Sequence, residues 1–206
     1  MLSLFCFSQT SGLFFSEYAE GSSNNKYMEI YNGTGATIDL SEYAFPNVSN
    51  APTVPGEYEY WNNFPIGATI ADGDVYIIAH PSSDPLILAE ADHTFSFLSN
   101  GDDGFALVYG VKPIIPVAAG NEYVILDVLG DFNGVAGNGW DVAGISEATK
   151  NHVLVRKCVV DLGNTDWTIS SGVDSISSEW LVLSNENWTD IGVHTYPCSI
   201  IIVNGC

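Results

Sequence analysis

The 206 residues, 46% hydrophobic and 12% aromatic, suffice to bury one sizeable core and exclude a disordered chain. Only 5 Lys and Arg stand against 25 Asp and Glu, a formal net charge of -20. A surface of that sign repels phosphate backbones and anionic membranes, so nucleic acid is excluded as an expected partner, and no run reaches the ~20 apolar residues of a membrane span.

The chain opens on Met1-Leu2-Ser3-Leu4-Phe5-Cys6-Phe7-Ser8-Gln9-Thr10, apolar and closed by small or polar residues. Residues 1–10 look like the end of a secretory signal that lacks its basic start; the other reading is that Met1 begins a first strand. A body over 12–195 follows, with short apolar runs separated by turn formers. Leu13-Phe14-Phe15-Ser16-Glu17-Tyr18 and Lys26-Tyr27-Met28-Glu29-Ile30-Tyr31 are expected strands, the second ending at the turn dipeptide Asn32-Gly33. Ala36 to Leu40 continues the series. Prolines at 46, 52 and 55 mark an irregular loop, after which Tyr58-Glu59-Tyr60-Trp61 reads as an edge strand.

Asp74 to Ala79 is apolar on both faces, as a central strand should be. Asp84 can cap and Pro85 suits the first position of a short helix over 85–91, about two turns. Further strands are expected at Phe105–Tyr109, Tyr123–Leu129, Val153–Arg156, Trp167–Ile169 and Trp180–Leu183. Many short strands at turn-punctuated spacing indicate an all-β sandwich or barrel. Tyr196-Pro197 breaks the pattern, and 196–206 is expected to start a linker or a following module.

Of 4 cysteines, Cys6 falls in the leader-like segment. Cys198 and Cys206 could close a small disulfide loop in an oxidising compartment, leaving Cys158 as a buried thiol. No CxxC pair, HExxH, GxSxG or phosphate loop occurs, so no catalytic residue is assigned and the chain is read as no enzyme. Asn100, Asp102 and Asp103 in one loop, and Asp127, Asp131 and Asn133 around another, offer hard oxygen atoms for weak calcium binding. The competing reading is that they shape turns by bonding their own backbone. Lys26 could pair with Glu17, Glu20 or Glu29. Trp61 and Trp140 lie at or near loops and are the surface candidates for a sugar platform, whereas Trp167 and Trp180 suit the core.

The run from Phe15-Ser16-Glu17-Tyr18 to Ile30-Tyr31-Asn32 resembles the opening of bacterial lamin tail domains. Ile38-Asp39-Leu40-Ser41-Glu42-Tyr43, Gly73 to Ala79, Leu98 to Leu107, and the stretch from Leu154-Val155-Arg156-Lys157 to Ser178-Glu179-Trp180 are similar to later segments of that family, in order. The resemblance implies an immunoglobulin-like β-sandwich in a secreted bacterial setting, with no catalytic residues to carry over. The expected function is a non-catalytic extracellular module, an adhesion or scaffold domain that binds protein or glycan at the cell surface. The alternative is an accessory domain of an extracellular hydrolase such as a nuclease, its catalytic part elsewhere.

Overall fold

The computed structural model describes residues 12–198, apart from 51, 99, 115–121, 134–136 and 197. In chain order the elements are β1 (Leu13–Glu20), β2 (Lys26–Asn32), β3 (Ile38–Asp39), a 3-10 turn (Leu40–Glu42), β4 (Tyr43–Ala44), β5 (Thr69–Ile70), β6 (Val75–Ala79), α1 (Pro85–Glu90), β7 (His93–Thr94), β8 (Phe105–Gly110), β9 (Tyr123–Leu129), β10 (His152–Arg156), α2 (Trp167–Ser171) and β11 (Trp180–Ser184). The expected leader over 1–10 lies outside the described residues.

The strands form an all-β sandwich. A six-stranded sheet runs β11-β10-β1-β2-β6-β7, facing a three-stranded sheet β4-β8-β9 and a small pair β3-β5. Pairing is antiparallel throughout, except for β6 with β7. The six-stranded sheet is covered on both faces, which explains why β1 and β2 are buried along their whole length. Alternation along these strands sorts the two faces. Phe15, Tyr18, Met28, Ile30 and Ile78 enter the core between the sheets. Ala19, Tyr27, Ile77, Ala79 and Val153 face outward into a second apolar cluster closed by Ile87 of α1 and, from the C-terminal segment, Trp188 and Ile191. Burial of one such large side chain contributes about 1.5–3 kcal/mol.

The α1 helix forms as its sequence indicates. Asp84 accepts from the Leu86 N–H at 2.9 Å and Pro85 occupies the first turn. A second helix stands where a strand was expected. Asp166 accepts from the Ile169 N–H at 3.2 Å and caps α2, so Trp167-Thr168-Ile169 winds instead of extending. Ser170 is thereby turned inward, where its hydroxyl accepts from Trp180 Nε1 at 2.9 Å. The expected edge strand at 58–61 also fails to form; only an isolated bridge joins Asn47 to Tyr60. Two aromatics of that segment point inward, Tyr58 and Trp61 packing edge to face on Tyr123 of β9, and this packing replaces a ladder.

The disulfide differs from expectation as well. Cys158 is no free thiol but the disulfide partner of Cys198, in place of the expected Cys206, and the Cys198 N–H donates to the Cys158 carbonyl at 3.1 Å. Nearness in sequence between 198 and 206 is outweighed by the path of the chain, which returns past the end of β10. Among the described residues no helix is long and apolar enough to cross a membrane.

Candidate functional site

Two sheet irregularities set up a polar centre inside the sandwich. The register of β1 against β2 shifts between Phe15 and Glu17, and that of β8 against β9 between Leu107 and Val108. The first shift frees the Phe15 N–H from the ladder, and it donates across the core to Asp127 Oδ2 at 2.8 Å. The same oxygen accepts from Arg156 Nη2 at 2.5 Å, while Oδ1 accepts from the N–H groups of Val128 at 3.0 Å and Asn164 at 2.8 Å. A carboxylate has about four lone-pair sites, so Asp127 is saturated by protein donors and has none left for calcium. Burial pushes its pKa up, while attraction and hydrogen bonding from Arg156 pull it down. Arg156 also donates to Ser170 Oγ at 2.7 Å and Glu179 Oε2 at 2.9 Å, and its guanidinium lies 4.2 Å from the Trp180 ring centroid. This centre is structural. It clasps β9 of one sheet to β1 and β10 of the other.

A second buried acidic group lies on the outer face of the six-stranded sheet. Glu17 of β1 and Glu29 of β2 are direct cross-strand partners. Glu17 accepts from the Tyr27 hydroxyl, and Glu29 from Ser16 Oγ at 2.6 Å and from the Gly192 N–H at 2.8 Å. Burial, and for Glu17 repulsion from Glu29, push these carboxyls up to about 9 and about 7.

A cleft of about 410 Å³ is lined by Asn47, Ser49, Tyr60 and Asn62 on one side and by Phe95, Ser96, Phe97, Leu98, Asn100 and Asp103 on the other, within the ~300–1,000 Å³ of small-molecule sites. Tyr60, Phe95 and Phe97 give it aromatic surface. Phe97 is 74% exposed and Tyr60 56% exposed. Phe97 meets Phe95 edge to face at 5.7 Å between ring centroids, and Phe95 meets the buried Phe45 in the same way at 5.3 Å, so the exposed ring is linked to the core. Tyr60 is fixed through its backbone: its N–H donates to the Asn47 carbonyl at 3.0 Å and its carbonyl accepts the Asn47 N–H at 2.9 Å.

The cleft also carries amides. Asn47 is only 3% exposed, and its Oδ1 accepts from Asn62 Nδ2 at 2.8 Å. Asn47 Nδ2 has a contact of 3.5 Å with the Val48 carbonyl, at the weak limit of hydrogen bonding. Asn100 Oδ1 accepts from Lys26 Nζ at 2.7 Å, and Lys26 in turn lies 3.6 Å from Glu20, both side chains buried. That is the ion pair expected of Lys26, moved from the surface to the interior. Asp103 accepts from the Asn50 N–H, and burial raises its pKa.

The six calcium candidates are thus distributed over separate places. Asn100 and Asp103 line the cleft, whereas Asp102 accepts from the Gly137 N–H at 3.3 Å. Asp131 and Asn133 line a second, more polar hollow of about 460 Å³ opposite Asp166, and the Asn133 N–H donates to Asp131 Oδ1 at 2.8 Å, a turn-shaping contact. Among the described residues no group of three or more His, Cys, Asp and Glu is gathered to hold a metal ion. The tryptophans sort differently from expectation at two positions: Trp61 and Trp140 pack against the core, as Trp167 and Trp180 do. Sequence reasoning missed Phe97, whose only signal is alternation with Phe95 across Ser96.

Against known proteins, a family model, the Lamin Tail Domain, matches residues 7–144. No curated protein and no solved structure matches the chain. The match ends before β10, yet β10 pairs with β1, so the sandwich includes strands beyond the matched stretch.

Proposed function

Since the chain belongs to the lamin tail domain family, we propose that it is an extracellular binding module, an adhesion or scaffold domain that holds a partner at the cell exterior. The family is an immunoglobulin-like, non-catalytic one, which supports binding over turnover. The observation that carries the reading is the cleft: two large aromatic rings stand exposed at it, Phe97 against Phe95, while the buried Arg156 and Asp127 are committed to one another. The Cys158–Cys198 bond supports an oxidising compartment, since such bonds persist outside the reducing cytosol. The acidic surface supports solubility there and opposes nucleic acid.

The test uses the labelled 206-residue chain on intact cells of its source, with generic nuclease, protease and glycosidase substrates assayed beside it. Expected are saturable retention at the cell surface, displacement by unlabelled chain, and no turnover. Retention that never saturates, or hydrolysis of any of the substrates, would sink the reading.

A further inference from the structure

We propose that the cleft between Tyr60 and Phe97 binds a neutral oligosaccharide, an inference that rests on the binding-module reading and names its ligand class.

Sugars present two kinds of surface. One face of a pyranose ring carries polarised C–H groups, which the electron-rich face of an aromatic ring attracts. The rim carries hydroxyls, each a donor and an acceptor at once. The cleft supplies both complements. Tyr60 and Phe97 provide ring surface that no core packing explains, at 56% and 74% exposure. Asn47, Asn62 and Asn100 provide amides, which pair donors with an acceptor in one plane and carry no charge.

The amides are held in place by bonds that use part of their capacity. Asn62 spends Nδ2 on Asn47 Oδ1 and on the Phe45 carbonyl at 2.9 Å. Asn47, 3% exposed, is left with a donor whose protein contact is 3.5 Å long. A buried donor with so poor a partner is stabilised by an added acceptor, and a ligand hydroxyl in the cleft is one. Asn100 is fixed through Oδ1 by Lys26, which orients the side chain while leaving the ammonium behind the wall.

Charge selects among sugars. The residues lining the cleft include Asp103 and neither Lys nor Arg, and the chain as a whole carries -20. Uronic acids, sulfated glycans and phosphates are therefore disfavoured, and neutral hexose or N-acetylhexosamine chains fit.

Binding is measured by titration calorimetry with neutral glucose, mannose and N-acetylglucosamine oligosaccharides, with an oligogalacturonate as the charged comparison and an unglycosylated extracellular protein fraction as a further arm. At least one neutral sugar should bind, the galacturonate should not, and Tyr60→Ala and Phe97→Ala should each weaken binding about tenfold. Both rings are exposed, so the melting temperature should hold; if Tyr60→Ala unfolds, Phe97→Ala decides alone. Leu181→Ala, at an exposed position on β11, should leave binding unchanged. The inference is overturned if no neutral sugar binds, or if binding survives both aromatic substitutions. Binding of the protein fraction alone, lost with Tyr60 or Phe97, overturns the sugar and keeps the module; binding of neither sugar nor protein removes both.

Discussion

Arg156 and Asp127 meet in the middle of the sandwich with both side chains wholly withdrawn from solvent. One stands on β10 of the larger sheet, the other on β9 of the smaller, so the pair spans the interface between them. Two charges are tolerable there because nearly every polar atom is matched: Asp127 receives hydrogen bonds from Phe15, Val128 and Asn164 besides Arg156, and Arg156 reaches Ser170 and Glu179. The Trp180 ring completes the enclosure of the guanidinium.

Asp127→Ala leaves that guanidinium buried without its main counter-charge. Loss of one partner from a buried pair costs about 3–5 kcal/mol, and equilibrium urea unfolding should return a loss in this range. A loss under about 1 kcal/mol would show that the pair does not hold the sheets together.

Acidity should stabilise this protein across the neutral range, the reverse of common behaviour. Glu17 and Glu29 have ordinary values of 4.5 that folding raises to about 9 and about 7. The folded chain therefore binds more protons than the unfolded one between those limits. Their stabilising share is complete below about pH 4.5 and is lost as pH rises through about 7 and about 9. His194, buried against Phe14 and Tyr31, acts in the other direction: its value falls from 6.5 to about 4, so stability is lost on acidification through that lower window. Well above pH 6.5 the imidazole is neutral in both states, and the carboxyls set the trend. The melting temperature should fall steadily from pH 6.5 to 9, and Glu17→Gln should raise it at pH 8 by roughly 3 °C or more. An identical profile for wild type and Glu17→Gln would refute this account.

Reduction of Cys158–Cys198 releases a loop whose ends are separated by 40 residues. Chain entropy assigns such a closure about 4 kcal/mol. For a chain of this size the melting temperature should drop by roughly 8–16 °C in dithiothreitol, and Cys158→Ser should match it. A shift below about 3 °C would mean that residue 198 adds nothing to the fold.

Duplex DNA should not be shifted by the chain at physiological salt. Lys26 and Arg156 are buried, and Lys157 Nζ is turned onto the carbonyls of Ser175 and Ser178. Phosphate binding needs several cations displacing counterions together, which Lys112 and Lys150 do not supply. Micromolar binding in a gel-shift assay would contradict this.

What could be read in advance follows from the range of the interactions. Asp84-Pro85 marks the start of α1 because capping is a contact between neighbours, and the apolar runs mark β1, β2, β6, β8 and β9 because burial repeats along a strand. At α2 a single capped turn is too short to show a helical period, and its Thr and Ile favour a strand, so the local signal misleads. The Asp127–Arg156 pair and the Cys158–Cys198 bond join distant segments, and no spacing rule reaches them. In the cleft, Asn100 and Asp103 were legible as loop oxygen donors, but their chemistry depends on Tyr60 and Phe97, which the fold brings to the same opening.

The position of β1 bears on how the protein can be made. It is the first strand among the described residues, and it lies between β2 and β10. Its hairpin with β2 can close early, since those strands are consecutive. Its other edge must stay open until β10 has been translated, and β11 then adds beyond β10. Asp127 waits over the same interval for Arg156, and the Cys158 thiol waits longer still for Cys198. The pairings that close the larger sheet are thus long-range in sequence, which places this sandwich among the slower-folding topologies.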